Sequence, residues 1–305
     1  MRIGLIVNEN AGSADISERL REAVDERDHV ACWRSRNEGD GIHLARKAAE
    51  EGFDVVAAAG GDGTINEVVN GIMASGRDVT LGIVPLGTGN DLSRTLDIPT
   101  DPEPALDLLQ SGERRRLDTF VIETSDESIE AVYGINAAAG GFSGKVGEAI
   151  SSELKASWGP LAYLIGAASL IPEIQEYETY ISYDGNEPEY VNALNIIVAN
   201  GRTVAGGKRV SPLSNPEDGL LDVVIVKKGS VVELGDVAAR LVAGNLLSSH
   251  IVTHRLARSI RVDSRPGMWF NVDGELITKE PVTISVREAA LSVIVGTDYR
   301  AVITP

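Results

Sequence analysis

The strongest structural signal in the chain is the stretch Ala59-Gly-Gly-Asp-Gly-Thr-Ile-Asn-Glu-Val-Val-Asn-Gly71. It follows the apolar run 54–59, which predicts a buried strand, and apolar residues then recur at helical spacing over 65–74. Glycines let the backbone approach a ligand closely, and the amide groups at a helix start attract anions. The stretch therefore predicts a phosphate-binding strand–loop–helix unit. The alternative is a tight turn that Asp62 or Thr64 merely caps.

A second loop of the same kind follows the next predicted strand, residues 79–85. Its sequence is Pro85-Leu-Gly-Thr-Gly-Asn-Asp-Leu-Ser93, in which two glycines permit a sharp turn and Asn90 or Asp91 can cap the next helix. Alone, this loop fits turn formation and ligand binding equally well. Because the carboxyl ends of parallel strands lie at one edge of a sheet, we expect the two loops to lie side by side.

Strand-like and helix-like segments alternate over the first 110 residues. Further strands are predicted at 2–7 and 30–34, and further helices at 15–27, 42–51 and 91–96. Alternation of this kind predicts an α/β domain with a parallel sheet and helices on both faces.

The pattern changes near Leu117, where short strand-like segments begin to dominate. These predicted strands are 119–124, 131–138, 179–183, 192–199, 221–227, 259–263 and 282–286. They predict a β-rich antiparallel second domain with a helical insertion around 145–174. We therefore expect domains at 1–117 and 118–290, with the run 291–295 as a candidate for returning residues 291–305 to the first domain.

The charge balance excludes some functions. Forty-five acidic residues against 28 basic ones give a formal net charge of −17, which argues against nonspecific nucleic-acid binding. The bases comprise 21 arginines and seven lysines, a balance that favours a salt-adapted protein over a merely acidic one. A single cysteine, Cys32, and the absence of a visible signal peptide predict a soluble cytoplasmic protein.

Four ordered motifs resemble the diacylglycerol kinase catalytic-domain family. They are Gly60–Thr64 with Asn66-Glu67, then Pro85–Asp91, then Asp218-Gly-Leu-Leu-Asp222, and finally Asn271-Val-Asp-Gly-Glu275. More narrowly, the chain resembles the soluble bacterial and archaeal lipid kinases, which are related to sphingosine and ceramide kinases. The resemblance implies a nucleotide-binding α/β domain, a β-sandwich domain, and ATP- and Mg²⁺-dependent phosphorylation of a lipid hydroxyl in phospholipid metabolism.

The resemblance also implies roles for individual residues. Glu9 stands where the family usually has a proline, and Ser35 where a threonine near the nucleotide is common. The implied nucleotide-binding residues are Asn8, Gly12, Ser35, Gly60, Gly61, Asp62, Gly63, Thr64, Asn66, Glu67, Thr88 and Asn90.

The acidic motifs in the second half are expected to supply the metal site and the base. The resemblance makes Asp218 a Mg²⁺ ligand, with backbone groups near Asn215 and Leu220 completing the site, although the sequence alone fits a turn. Either Glu275 or Asp273 is expected to be the general base. Asp62 would face them near the γ-phosphate. Read without the resemblance, Asp273-Gly274 is a hairpin signal.

Two functions from other classes stay open: an NAD kinase-like enzyme that acts on a soluble substrate, and a nucleotide-binding protein without catalysis. We expect a lipid acceptor presented from a membrane surface, transient membrane contact, and a homodimer. The uncharged run 159–172 is either a lipid-facing helix or a core helix. His250 and His254 fall at helical spacing without a third metal ligand, so we assign them no role.

Overall fold

The computed structural model describes residues 1–125, 130–141, 175–278 and 281–302. The chain divides into two compact units. We call Met1–Thr119 with Glu288–Ala301 the α/β unit, and Phe120–Arg287 with Val302 the β unit. The predicted insertion around 145–174, including the run 159–172, lies outside the described residues.

The α/β unit is built on a parallel sheet. Its strands are β1 (Ile3–Asn8), β2 (Val30–Ser35), β3 (Val55–Gly60) and β4 (Thr80–Pro85). They lie in the order β4-β3-β1-β2, and every pairing between them is parallel. β3 and β4 are buried along their whole length, which explains their continuous apolar sequences.

Helices cover both faces of this sheet. They are α1 (Ala14–Asp25), α2 (Asp40–Glu50), α3 (Asp62–Ser75), α4 (Asp91–Thr95) and α5 (Pro102–Ser111). α2 packs against α3, and α1 packs against α5. Ser13 and Asp101 cap α1 and α5 through side-chain hydrogen bonds to Ile16 N and Glu103 N.

The β unit is an antiparallel sheet. The remaining strands are β5 (Glu113–Thr124), β6 (Val132–Gly134), β7 (Ala137–Gly141), β8 (Tyr177–Tyr183), β9 (Glu189–Ala199), β10 (Thr203–Val204), β11 (Lys208–Arg209), β12 (Leu221–Lys227), β13 (Val252–Ala257), β14 (Ser259–Arg265), β15 (Phe270–Val272), β16 (Glu275–Thr278) and β17 (Val282–Val295). The longest described path runs β16-β15-β7-β9-β8-β14-β17, with β12 pairing with β9 and β13 with β12, while β10 and β11 pair separately. The α/β class with a β-rich antiparallel second part is therefore confirmed.

One helix of the β unit is absent from the sequence-based prediction. α6 (Val231–Ala243) packs Leu234, Val237 and Leu241 into a core with β9, β12 and β13. Ser230 and Glu233 form a capping box at its start, a signal that was readable in the sequence.

One strand prediction was wrong, and two other predicted segments are parts of a single strand. The predicted strand 131–138 is split into β6 and β7, because backbone amides at the break bind a side chain instead of a neighbouring strand. The segments 282–286 and 291–295 belong to one strand, β17, whose Ser292 and Val293 pair in parallel with Thr80 and Leu81 of the α/β unit. Within the described ranges, no helix is long and apolar enough to span a bilayer.

Candidate functional site

The two glycine loops lie side by side in the α/β unit. β3 and β4 pair in register up to Gly60 and Pro85, and Leu86 N donates a 2.9 Å hydrogen bond to Gly60 O. The loops are therefore joined by backbone at the carboxyl edge of the sheet, where parallel α/β sheets bind ligands.

The contact between the loops requires glycine. A Cβ added to Gly87 would lie only 2.6 Å from Gly61 Cα and 2.9 Å from Asn90 Oδ1. Real Cβ atoms do not approach backbone that closely, so any other residue would push the loops apart. The glycines serve close packing here as well as access for a ligand.

The helices that follow the loops begin without side-chain caps. Gly61, which has no side chain, precedes α3, and Asn90 precedes α4 without making a side-chain capping hydrogen bond. Asp62 Oδ1 instead accepts Leu92 N at 3.3 Å, which ties the start of α3 to the first turn of α4. First-turn amides have no partner within their own helix, so two helix starts that favour anions lie next to each other.

Asn8 and Gly12 join the same cluster. Asn8 Nδ2 donates to Thr64 Oγ1 at 3.0 Å, while Asn8 Oδ1 accepts Asn10 N at 2.9 Å. Gly12 has a positive φ of 79°, and a Cβ there would lie 3.3 Å from Leu86 O. The structure thus brings the loop after β1 against both glycine loops.

Ser35 and Glu9 mark the next strand end. Ser35 is buried, stands opposite Asn8 in the β1–β2 register, and accepts Glu9 N through its backbone oxygen at 3.1 Å. The Glu9 carboxylate pairs with Arg34 at 2.7 Å and Arg36 at 2.8 Å. Hydrogen bonds from Arg34 and then Arg36 lower the pKa of Glu9. In this chain the residue at the family's proline position therefore organises two arginines beside the loops.

Two buried polar atoms in the segment 85–93, which contains the second glycine loop, have no hydrogen-bond partner among the described residues. Asn90 Nδ2 donates to Gly87 O at 2.7 Å, but Asn90 Oδ1 and Ser93 Oγ have no partner among the described residues. Thr88, at the tip of the loop, is exposed. Buried polar groups are almost always satisfied, so these atoms favour a polar ligand at the loops.

Glu67 has a different position from the other predicted nucleotide residues. Its two carboxylate oxygens accept Gly39 N and Gly41 N, each at 2.8 Å, at the start of α2. These contacts fix α2 against α3. Asn66 is buried one residue earlier, where its side-chain oxygen accepts Asn70 Nδ2 at 3.0 Å. Direct contact of Asn66 or Glu67 with a nucleotide stays a prediction.

Asp273 holds a backbone turn in the β unit. Its carboxylate accepts Ile135 N at 3.0 Å, Asn136 N at 3.1 Å and Ala137 N at 2.8 Å. These three bonds occupy the amides at the break between β6 and β7, and thereby explain the break. Both oxygens of Asp273 accept backbone hydrogen bonds, and its role as the general base stays a prediction.

Glu275 lies two residues further on, as the first residue of β16. Asp273 and Gly274 both have positive φ, 47° and 100°, as a type I′ hairpin turn requires. The side chain of Glu275 lies outside the described part of the structure. Which of Glu275 and Asp273 is the general base stays a prediction.

The predicted metal site is also a turn. Asp218 Oδ1 accepts Leu220 N at 3.0 Å, and Asp218 N donates to Asn215 O at 3.3 Å. Among the described residues, no group of three or more histidine, cysteine, aspartate or glutamate side chains is arranged to hold a metal ion. The turn offers a single carboxylate with backbone oxygens nearby, a donor set that suits Mg²⁺ with several waters.

One buried cluster was missed by the sequence analysis. Asp222 is almost fully buried, and its Oδ1 lies 2.6 Å from both Ser211 Oγ and His254 Nε2. His254 lies on β13, so the helical spacing with His250 was misleading. The cluster ties β12 to β13 and the segment after β11.

The α/β unit therefore has two adjacent glycine loops that suit an anion, and the β unit has acidic turns at Asp218 and Asp273. The combination of such an α/β part with an antiparallel β-rich part is the fold of diacylglycerol kinases and NAD kinases. The family model "Diacylglycerol kinase catalytic domain" matches residues 2–122, and "YegS C-terminal NAD kinase beta sandwich-like domain" matches residues 136–295. The chain belongs to the diacylglycerol kinase family.

Named relatives agree with this assignment. A diacylglycerol kinase of Staphylococcus aureus is 31% identical over 301 residues, covering 97% of this chain and 93% of that protein. A putative diacylglycerol kinase from Bacillus anthracis has a similar structure, with a TM-score of 0.83, 24% identity, and coverage of 98% and 96% of the two chains. An NAD kinase from Archaeoglobus fulgidus, solved in complex with ATP, has a TM-score of 0.57 at 14% identity, with 98% and 95% coverage. Both solved structures support the fold.

Proposed function

We propose that the protein is an ATP- and Mg²⁺-dependent lipid kinase that phosphorylates a hydroxyl group of a lipid acceptor such as diacylglycerol. The observation that carries this proposal is the Gly61–Gly87 contact, with the unsatisfied oxygen Asn90 Oδ1 beside it. Family membership supports a phosphotransferase, and the loops supply a site for the phosphates of its donor.

The proposed roles divide between the two units. Backbone amides of the loops and the side chains of Asn8 and Thr64 hold the nucleotide in the α/β unit. In the β unit, Glu275 takes the proton of the acceptor hydroxyl as the acceptor oxygen bonds to the γ-phosphorus and ADP leaves. Asp273 keeps Glu275 in place by fixing the turn.

A divalent cation would neutralise charge on the transferred phosphate. The turn of Asp218 would hold it, together with backbone oxygens near Asn215. The Asp218 turn fits Mg²⁺ in donor type, because Mg²⁺ commonly binds through one or two carboxylates and keeps its remaining waters. We expect Asp218→Ala to raise the Mg²⁺ concentration required for activity more than it changes nucleotide affinity.

The test is transfer of labelled γ-phosphate from ATP at low and at molar salt. Diacylglycerol, a diether glycerol, a polyprenol, sphingosine and NAD are offered separately, with Glu275→Gln as the inactive control. Label in a lipid supports the proposal and names the acceptor. Label in NAD alone would establish an NAD kinase-like enzyme instead, and no transfer despite ATP binding would favour a non-catalytic protein.

A further inference from the structure

The exposed face of α6 is free of charged side chains. Val231, Val232 and Val242 are 47%, 81% and 54% exposed, and the exposed residues between them are Gly235 and Ala239. These three valines are three of the nine exposed large hydrophobic residues in the described part of the chain. Exposed apolar side chains gathered on one helix face mark an interaction surface more often than scattered ones do.

The charged residues of α6 lie on one flank and are paired. Glu233 binds His250 at 2.7 Å, and Asp236 binds Arg240 at 2.6 Å. At 100° per residue, these positions cluster beside the valine face and not within it. α6 thus has a core face, a paired charged flank and an open apolar face.

Cations lie at both ends of the apolar face. Lys227 and Lys228 precede the helix, and Lys228 forms an exposed ion pair with Glu176 at 2.8 Å. Lys208 and Arg209 form β11, which packs against the helix. A Cβ added to Gly244, which follows the last turn, would lie 3.6 Å from Arg209 Cδ. Three of the chain's seven lysines therefore lie around this one helix, in a protein whose net charge is −17.

The size of the face argues against a second copy as its partner. A helix of 13 residues is about 20 Å long and about 10 Å wide. That area is far below the roughly 800 Å² that each partner buries in a stable protein complex. A bilayer makes no such demand, because a few apolar side chains in the acyl region and cations at the headgroups give reversible binding.

We propose that α6 is a docking surface for a bilayer that contains anionic lipid. Val231, Val232 and Val242 enter the interface, and the cations at the two helix ends contact lipid phosphates. The remaining negative charge repels the bilayer and so favours an approach with this face first. The inference rests on the proposed function only in that a lipid kinase must reach its acceptor at a bilayer.

The test is flotation of the full-length protein with vesicles of phosphatidylcholine, alone or mixed with phosphatidylglycerol. The variant Val232→Asp/Val242→Asp should reduce the vesicle-bound fraction at least tenfold. Tyr190→Asp is the matched control, because Tyr190 is 58% exposed on β9 of the same unit, and it should bind as the wild type does. Circular dichroism and thermal unfolding verify that each variant is folded.

A charge variant separates the two parts of the surface. Lys227→Gln/Lys228→Gln should lose the preference for phosphatidylglycerol while keeping residual binding. Wild-type flotation by the valine variant would overturn the proposal. So would a change of its oligomeric state in light scattering with unchanged flotation, since that result would identify the face as a contact between copies.

The kinase assay distinguishes failure of this surface from failure of the proposed function. With a short-chain acceptor below its aggregation limit, the valine variant should turn over at the wild-type rate, whereas with vesicle-borne acceptor it should be at least tenfold slower. Vesicle binding by a wild type that phosphorylates no lipid would remove the proposed function and leave the surface. If the valine variant phosphorylates vesicle-borne lipid at the wild-type rate, the proposed function stands and the docking surface is refuted.

Discussion

Asp62-Gly63 in the α/β unit and Asp273-Gly274 in the β unit are the same dipeptide in two different structures. Asp62 begins a helix that has no side-chain cap, next to a loop that touches it through glycine. Asp273 forms a hairpin turn and gathers three backbone amides with its carboxylate. Asp62 accepts one backbone amide, Leu92 N, whereas Asp273 accepts three.

The two units differ in the chemical groups that form their candidate sites. In the α/β unit the candidate site is formed by backbone, so the important substitutions are those that add atoms to glycine. In the β unit the candidate site is formed by carboxylates, so the important substitutions are those that remove charge. Substitutions in each unit test this difference.

Glu275→Gln tests whether the β unit supplies the base. We expect kcat to fall by about 10³-fold, because a positioned general base contributes about 10² to 10⁴. Thermal stability should stay near that of the wild type. Steady-state kinetics with the best acceptor measure the effect, and a kcat within a factor of three of the wild type would contradict the assignment.

Gly87→Ala tests the backbone site in the α/β unit. The new Cβ would meet Gly61 Cα at 2.6 Å, so the loops must separate, and a displacement of about 1 Å can cost about 10² in kcat/KM. We expect most of the loss in the KM for ATP. Gly235→Ala is the matched control, because a Cβ there meets nothing within 4 Å, and its kinetics should be unchanged.

Asp273→Asn separates positioning from chemistry. In this variant the side-chain NH₂ group of asparagine replaces one acceptor oxygen, so at least one of the backbone N–H groups at 135–137 loses its acceptor. Leaving a buried donor unsatisfied costs about 2 kcal/mol. We expect urea unfolding to show that loss in the β unit, with activity reduced less than in Glu275→Gln. Full stability together with a kcat as low as that of Glu275→Gln would show that Asp273 is the base instead.

Glu233 is another carboxylate of the β unit that accepts a backbone amide, and its effect on stability should depend on pH. Hydrogen bonds from Ser230 N, Ser230 Oγ and His250 lower the pKa of Glu233 from 4.5 to about 2. A lowered folded-state pKa adds stability above about pH 4.5, and that stability is lost as the pH falls towards 2. The Tm of Glu233→Gln should therefore lie below the wild-type value at pH 6, and the difference should shrink by pH 2.5.

The exposed Glu187 provides the control for the pH experiment. The Tm of Glu187→Gln should follow the wild type at every pH. A Tm difference for Glu233→Gln that is the same at pH 6 and pH 2.5 would show that the cap stabilises α6 by shape and not by charge.

The sequence predicts the α/β unit well because its signals are local. Continuous apolar strands, helical spacing and glycine loops all lie within a few residues of one another, and the adjacency of the loops follows from strand order. The unsatisfied Asn90 and Ser93 were not predictable, since burial of a side-chain atom depends on packing from several elements.

The β unit was harder to predict because its site depends on contacts between distant segments. Asp273 and Glu275 are equivalent in sequence, and they differ only through backbone amides at 135–137. The split between β6 and β7 has the same cause. The position of His254 could not be predicted either, because its hydrogen-bond partner, Asp222, lies on another strand. By contrast, α6 carried a local capping signal and could have been predicted.

The most direct test of the account is the affinity of the wild-type protein for ATP, ADP, AMP and adenosine, measured by isothermal titration calorimetry with Mg²⁺. A site formed by loop amides and helix starts takes most of its binding free energy from the phosphates and little from the adenine ring. The affinity should therefore fall stepwise as phosphates are removed. Adenosine should bind at least a hundredfold more weakly than ATP. Equal affinity for adenosine and ATP would contradict a phosphate site at the glycine loops.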